Sequence, residues 1–197
     1  MTGDGSAPGD AELIEAFKAG KLAAFTQLVD RHQRSLINFF YHFSWDRQVS
    51  EDCAQEVFLR LYSHLGSYEV QAKFTTFLFR IARNLWIDRV RSAAVHGRPV
   101  SLDAAAGPGD QRALRDRLSG PALSPVDILS RREEHAALQH AIELLPEEQR
   151  MVLVLGEIQG MKYQDVALIL EVPVGTVKSR MHTAVERLKE LMAESER

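Results

Sequence analysis

The sequence predicts an all-α protein, built as two small helical domains joined by a flexible linker. Apolar residues recur every three or four positions along most of the chain, which is the spacing of amphipathic helices. The alternation of apolar and polar residues that is typical of strands is absent. Residues 93–130 break the helical pattern with a concentration of glycine and proline, so we expect the linker there.

Four helices are expected before the linker, after a disordered tail at residues 1–9. Their predicted ranges are 11–19, 22–43, 51–65 and 74–92. Asp10 is expected to cap the first helix and Gly20 to end it, while Ser50 is expected to cap the third. Leu22 should be the first inward-facing residue of the second helix. In the fourth helix, the residues expected to face inward are Phe77, Leu78, Ile81 and Leu85.

The composition limits the function. No stretch approaches the ~18 uncharged apolar residues of a membrane span, and the N-terminus lacks the basic and apolar regions of a signal peptide. We therefore expect a cytoplasmic protein. The single cysteine and the seven scattered histidines predict no disulfide, no metal site and no cofactor.

After the linker, helices are expected at 131–144 and from Pro146 to Gly160, followed by a pair of helices within 161–192. Glu171, Val172 and Pro173 separate the two helices of the pair, and Pro173 can begin the second one. Small residues at its start permit close approach to a phosphate backbone, and basic and hydroxyl residues follow: Gly175, Thr176, Lys178, Ser179, Arg180, His182 and Thr183. This is the layout of a helix-turn-helix, here without a wing, whose second helix enters the major groove. The alternative is a helical hairpin that only packs a core.

A polar face is predicted on the third helix. Asp52, Gln55 and Glu56 have i, i+3, i+4 spacing and share one side, whereas Val57 and Phe58 belong to another. Taken alone, such a face is most simply a solvated surface.

A basic segment covers residues 73–98, where the only acid is Asp88. On the fourth helix, cations and an amide line one side, and Phe79 and Trp86 are expected at the edge of the apolar stripe. Basic residues interleaved with aromatics suit single-stranded nucleic acid, because bases stack on the rings while the cations follow the backbone. The alternative is that the aromatics form the core and the arginines only add solubility.

Three motifs in this order resemble alternative sigma factors of bacterial RNA polymerase, of the extracytoplasmic function (ECF) type. They are Glu51-Asp52-x-x-Gln55-Glu56-Val57-Phe58, Arg80-Ile81-Ala82-Arg83-Asn84-Leu85-x-x-Asp88 and Val172-Pro173-Val174-Gly175-Thr176-Val177-Lys178-Ser179-Arg180. The resemblance covers residues 20–92 and 131–192. It implies a region 2 domain at 10–92, which binds core polymerase and the −10 element. It also implies a region 4 domain at 131–197, which binds the −35 element.

The resemblance also implies roles for individual residues. The residues implied to bind core polymerase, at the clamp helices of its largest subunit, are Asp52, Gln55 and Glu56. Those implied to bind the −10 element are Lys73, Phe74, Arg80, Arg83, Asn84 and Trp86, while the loop at 66–73 would capture an unstacked base. Those implied to bind the −35 element are Thr176, Lys178, Ser179, Arg180, His182 and Thr183.

As a whole, the resemblance implies a protein that is not an enzyme. It would bind core polymerase and promoter DNA, assist promoter melting, initiate transcription of a stress-responsive regulon and be inhibited by an anti-sigma factor. The chain departs from the family at Phe77, where tryptophan is usual, at Thr183, where a basic residue is usual, and at Lys162, where Ser or Thr commonly caps the helix.

Two other classes of protein fit the sequence less well. A dimeric repressor or a response-regulator output domain would explain residues 131–192 but leave 20–92 without a function. An enzyme is disfavoured because Cys53 has no paired base in its motif and the chain has no glycine-rich phosphate loop.

Overall fold

The computed structural model describes residues 7–66, 73–95 and 136–195, and these ranges are helical with no strand among them. The helices are α1 (Asp10–Lys18), α2 (Leu22–Ser44), α3 (Arg47–Leu65), α4 (Phe74–Val95), α5 (136–143), α6 (Glu147–Leu153), α7 (Tyr163–Leu170) and α8 (Val174–Ser195). They form two units, one containing nearly all of α1–α4 and the other α5–α8. The all-α, two-unit prediction is confirmed. The predicted linker at 93–130 begins too early, since residues 93–95 belong to α4. Residues 96–130, most of the predicted tail and most of the loop at 66–73 lie outside the described residues.

Helix α1 begins differently from the prediction. Gly9 takes the N-cap position, and its backbone N–H donates to the Glu12 carboxylate at 3.0 Å. Asp10 is the first helical residue, and its carboxylate instead binds two side chains of α2, Arg31 at 2.5 Å and His32 at 3.0 Å. The predicted Asp10 cap is therefore wrong, because the carboxylate bonds to the Arg31 guanidinium and to the His32 ring on the neighbouring helix.

Two details of α2 and α3 are also corrected. Leu22, which was expected to face inward, is 64% exposed, and Ala24 and Leu28 occupy the first buried positions of α2. Helix α3 starts at Arg47, so that Ser50 lies buried inside the helix instead of capping it. A serine can occupy either place, because its hydroxyl bonds locally to the backbone.

The core of the first unit is rich in aromatic residues. Phe39 of α2 makes an edge-on contact with Phe79 of α4, with ring centroids 5.5 Å apart, and Phe40 lies 6.4 Å from Trp86. Helix α4 is consequently rotated from its predicted orientation, since Phe77 and Ile81 are only half-buried. Its buried residues are Phe74, Thr76, Leu78, Phe79, Ala82, Leu85 and Trp86.

In the second unit, α6 continues into a π-helical turn, Val154–Ile158, and Gly160 ends this segment with a φ of 67°. Arg150 of α6 donates hydrogen bonds to the carbonyls of Glu143 and Leu145, so that a guanidinium satisfies the C-terminal end of α5. Burial lowers the pKa of Arg150, and the carboxylates of Glu143 and Glu147 oppose that effect. None of the described helices is long and apolar enough to cross a membrane.

Candidate nucleic-acid and polymerase interfaces

A tight turn sets the angle between α7 and α8. Glu171 adopts a left-handed conformation with a φ of 57°, and the N–H of Val172 bonds to the carbonyl of Ala167 at 3.1 Å. Pro173 lies one position before α8, and its carbonyl accepts the N–H of Thr176 at 2.9 Å. Lys162 takes the N-cap position of α7 and makes no side-chain capping bond, as its residue type predicts.

Helix α8 has one buried and one exposed face. Val177, Met181 and Ala184 are buried, and α8 packs against both α6 and α7. The opposite side exposes the four residues Lys178, Ser179, His182 and Thr183. The structure therefore gathers most of the predicted −35 contacts on one accessible surface, which we call the α8 recognition face.

The hydroxyl groups on this face have a defined orientation. Ser179 donates to the carbonyl of Thr176, and Thr183 donates to the carbonyl of Ser179, both at 3.0 Å. Since each hydroxyl proton is directed to the helix backbone, the oxygen lone pairs remain as acceptors for donors outside the protein. Thr176 itself is half-buried at the start of the helix.

Arg180 differs from the other predicted −35 residues. Its Nη2 lies 2.6 Å from Oε2 of Glu148 in the first turn of α6, and only 26% of its side chain is exposed. Arg180 is thus held within the second unit and lies at the edge of the α8 recognition face. The sequence could not show this pair, because the two residues are far apart along the chain.

The predicted polar face of α3 is accessible but has partners within the protein. Asp52 and Gln55 are exposed and Glu56 is half-buried. Gln48 donates to Asp52 at 2.9 Å, and Arg60 donates to Glu56 at 3.0 Å.

Arg60 also links α3 to α4, because its Nη1 lies 3.9 Å from Oδ2 of Asp88. Sequence reasoning missed this link. It also missed Leu59, which continues the stripe of Asp52 and Gln55 at helical spacing and is 60% exposed. The residue type of Leu59 did not indicate whether it belongs to the polar face or to the buried face of α3.

Cys53 lies buried beneath this polar face. Burial raises the pKa of its thiol, while the neighbouring Arg89 of α4 opposes the increase. A thiol in this protonated state is a poor nucleophile. Among the described residues there is also no cluster of His, Cys, Asp or Glu that could hold a metal ion.

The predicted −10 residues, on α4 and at the position just before it, separate into two groups. Lys73, Arg80 and Asn84 are exposed, and Arg83 donates to the Asn84 amide oxygen at 3.0 Å. Phe74 and Trp86, by contrast, are core residues with 6% and 4% of their surface exposed.

The expectation that aromatic rings lie at the edge of the apolar stripe is therefore wrong for Phe79 and Trp86, which pack against Phe39 and Phe40 of α2. Phe74 packs edge-on against His32 at 5.3 Å. Rings buried in this way cannot stack on bases.

Two helical units, one of them ending in a helix-turn-helix with an exposed polar face, define a DNA-binding protein of the helix-turn-helix class. The family models described as Sigma-70 region 2 and Sigma-70, region 4 match residues 28–95 and 135–188. The RNA polymerase sigma-H factor of Pseudomonas aeruginosa is 33% identical over 91% of each chain. The ECF RNA polymerase sigma factor SigW of Bacillus subtilis is 32% identical, over 89% of this chain and 92% of that protein. The chain belongs to the ECF group of sigma-70 factors and is an alternative sigma factor for promoter-specific transcription initiation.

Solved structures share the fold. CnrH, in complex with the cytosolic domain of CnrY, aligns with a TM-score of 0.67 at 24% identity, over 94% of this chain and 97% of that one. The sigma factor RpoE of Bartonella quintana, in complex with the anti-sigma factor NepR, aligns with a TM-score of 0.63 at 24% identity, over 86% and 96%.

Proposed function

We propose that this sigma factor binds core polymerase and two promoter elements through three separate surfaces. The α3 face with Asp52, Gln55 and Glu56 binds core polymerase. The exposed polar side of α4 binds the −10 element, and the α8 recognition face binds the −35 element. The observation that carries the proposal is the two-sided character of α8, which buries Val177, Met181 and Ala184 and exposes four polar residues opposite them.

At the −35 element, affinity and sequence preference have different sources. Lys178 is exposed and forms no ion pair within the part of the chain that the structure describes, so its ammonium can bind a phosphate. Ser179, His182 and Thr183 carry short polar groups on the same face, and groups of this kind can bond to base edges in the major groove.

At the −10 element, the proposal retains only the polar residues. Lys73, Arg80, Arg83 and Asn84 supply cations and an amide for a single-stranded backbone and its base edges. Phe74 and Trp86 act through the core, because their packing holds α4 in the orientation that exposes these polar groups.

The remaining parts of the proposal concern regulation. Both structural neighbours described above are complexes, one with the cytosolic domain of CnrY and one with the anti-sigma factor NepR. They support an anti-sigma factor as an inhibitor of this chain. We further propose a cytoplasmic, non-enzymatic protein with domains at 10–95 and 131–197, a linker at 96–130 and a stress-responsive regulon.

Binding of the full-length chain to core polymerase tests the proposal. The reconstituted holoenzyme should bind a promoter duplex and a fork with an unpaired −10 non-template strand, whereas the free chain should bind both weakly. Equal promoter affinity of the free chain and the holoenzyme would contradict the proposal and favour a polymerase-independent repressor.

A further inference from the structure

Two adjacent residues of α8 contact the segment formed by α6 and the π-helical turn after it. Arg180 binds Glu148 near the start of α6, and Met181 lies against Gly156 in the π-helical turn that follows α6. One contact is charged and one is apolar. Together they restrict both the rotation and the position of α8 on α6.

Arg180 lies at the edge of the α8 recognition face, on the side of the helix away from Lys178. With about 100° between successive residues, Arg180 lies about 160° from Lys178 and about 60° from Thr183, whereas His182 lies about 40° from Lys178 and Ser179 about 100°. The 26% exposure of Arg180 agrees with this placement on the flank toward α6. A phosphate that binds Lys178 therefore approaches from another side of the helix.

The pair with Glu148 is short and accessible. The 2.6 Å separation is that of a close ion pair, and 70% of the Glu148 side chain is exposed. Exposed pairs add little to overall stability, because solvent screens the charges and side-chain entropy is lost. Removing the pair should therefore leave the unit folded while it relaxes the orientation of α8.

We infer that Glu148 is a positioning residue for −35 recognition, which holds Arg180 on α6 and so fixes the rotation of the α8 recognition face. Glu148 and Arg180 together form an ion pair that we call the clamp. Arg180 accordingly serves this clamp and is not a phosphate ligand. The inference rests on the proposed −35 function of α8. A positioning role would explain why an acidic residue, Glu148, lies in a DNA-binding unit, where a negative charge would otherwise only oppose DNA binding.

The test uses holoenzyme made with the full-length chain, and a duplex carrying the −35 region of a promoter mapped with that holoenzyme. The variants are Glu148→Gln, Arg180→Glu and the exchange of both charges, Glu148→Arg with Arg180→Glu. The measurements are the affinity for this duplex and for one with a scrambled −35 element, the dependence of affinity on salt, and the melting temperature.

We expect each single variant to weaken binding to the mapped −35 duplex about two- to fivefold, the range that exposed pairs give. The ratio between mapped and scrambled duplexes should fall, while the salt dependence and the melting temperature stay unchanged. The charge exchange should restore both the affinity and the ratio. A residue that only stabilised the fold would lower the melting temperature without changing the ratio.

Three results would overturn the inference: tighter binding by Glu148→Gln, no rescue by the charge exchange, or a salt slope for Arg180→Glu that falls as it does for a lost phosphate contact. Lys178→Ala serves as the matched control on the same helix. If Lys178→Ala also has no effect on −35 binding, the proposed function of α8 fails. If Lys178→Ala weakens −35 binding but the charge exchange does not restore it, the proposed function of α8 stands and only the positioning role of the Glu148–Arg180 clamp is wrong.

Discussion

A Cβ atom added at Gly156 would lie 2.6 Å from Cε of Met181 and 3.6 Å from Cε1 of Tyr163. The π-helical turn and the recognition helix thus meet at a position where only glycine fits without movement. Gly156→Val should destabilise the protein by about 1 kcal/mol, the low end of the cost of overpacking, because the atom that must move is the terminal methyl of a flexible methionine side chain. Thermal unfolding measures this change.

Gly175→Ala is the matched control, since a Cβ there meets no atom within 4 Å. Its stability should stay within about 1 kcal/mol of the original, with any change toward greater stability, because alanine favours a helix. Equal melting temperatures for Gly156→Val and Gly175→Ala would contradict the prediction that a larger side chain at position 156 lowers stability.

Lys178→Ala should weaken −35 binding by the holoenzyme and reduce its dependence on salt. The loss of one phosphate contact lowers the slope of log K against log salt by about one unit. Lys189→Ala is the comparison on the same helix, because the ammonium of Lys189 is already paired with Glu186 at 2.7 Å. An unchanged slope for Lys178→Ala would contradict its assignment to phosphate.

Asp52→Arg combined with Gln55→Ala should weaken binding to core polymerase and leave the fold intact, since both side chains are exposed on α3. Asp30→Arg reverses an exposed acid on α2 and should leave core binding unchanged. Co-elution of each variant with core polymerase measures the effect. Loss of co-elution with Asp30→Arg as well would indicate a general charge effect instead of a specific face.

Trp86→Ala and Arg80→Ala should separate the core of α4 from its polar surface. Trp86→Ala removes a buried ring and should cost about 3–5 kcal/mol of stability. Arg80→Ala, at an exposed position, should keep the melting temperature and weaken holoenzyme binding to a single-stranded −10 probe. Trp86→Ala with unchanged stability and lost −10 binding would restore the stacking interpretation that the structure contradicts.

The sequence was sufficient for features that local chemistry determines. Helical periodicity placed α7 and α8, and Pro173 placed the turn between them, because proline suits only the start of a helix. The exposed position of Ser179 and His182 followed from the same periodicity.

Features that depend on tertiary contacts could not be predicted. Apolar residues cover so much of α4 that its sequence does not show which of them face the core. Phe79 and Trp86 are buried because they pack against Phe39 and Phe40 of α2. The partners of Asp10 and Arg180 lie on other helices, so no spacing within a single helix could show them.

Mapping transcript start sites tests the central claim most directly. Core polymerase transcribes genomic DNA in vitro with and without the full-length chain, and the 5′ ends of the transcripts are sequenced. We predict new start sites that require the chain, share −10 and −35 sequences, and become weaker with Lys178→Ala and with the Asp52→Arg, Gln55→Ala variant. The absence of chain-dependent start sites, together with binding of the free chain as a stable dimer to palindromic DNA, would contradict the account.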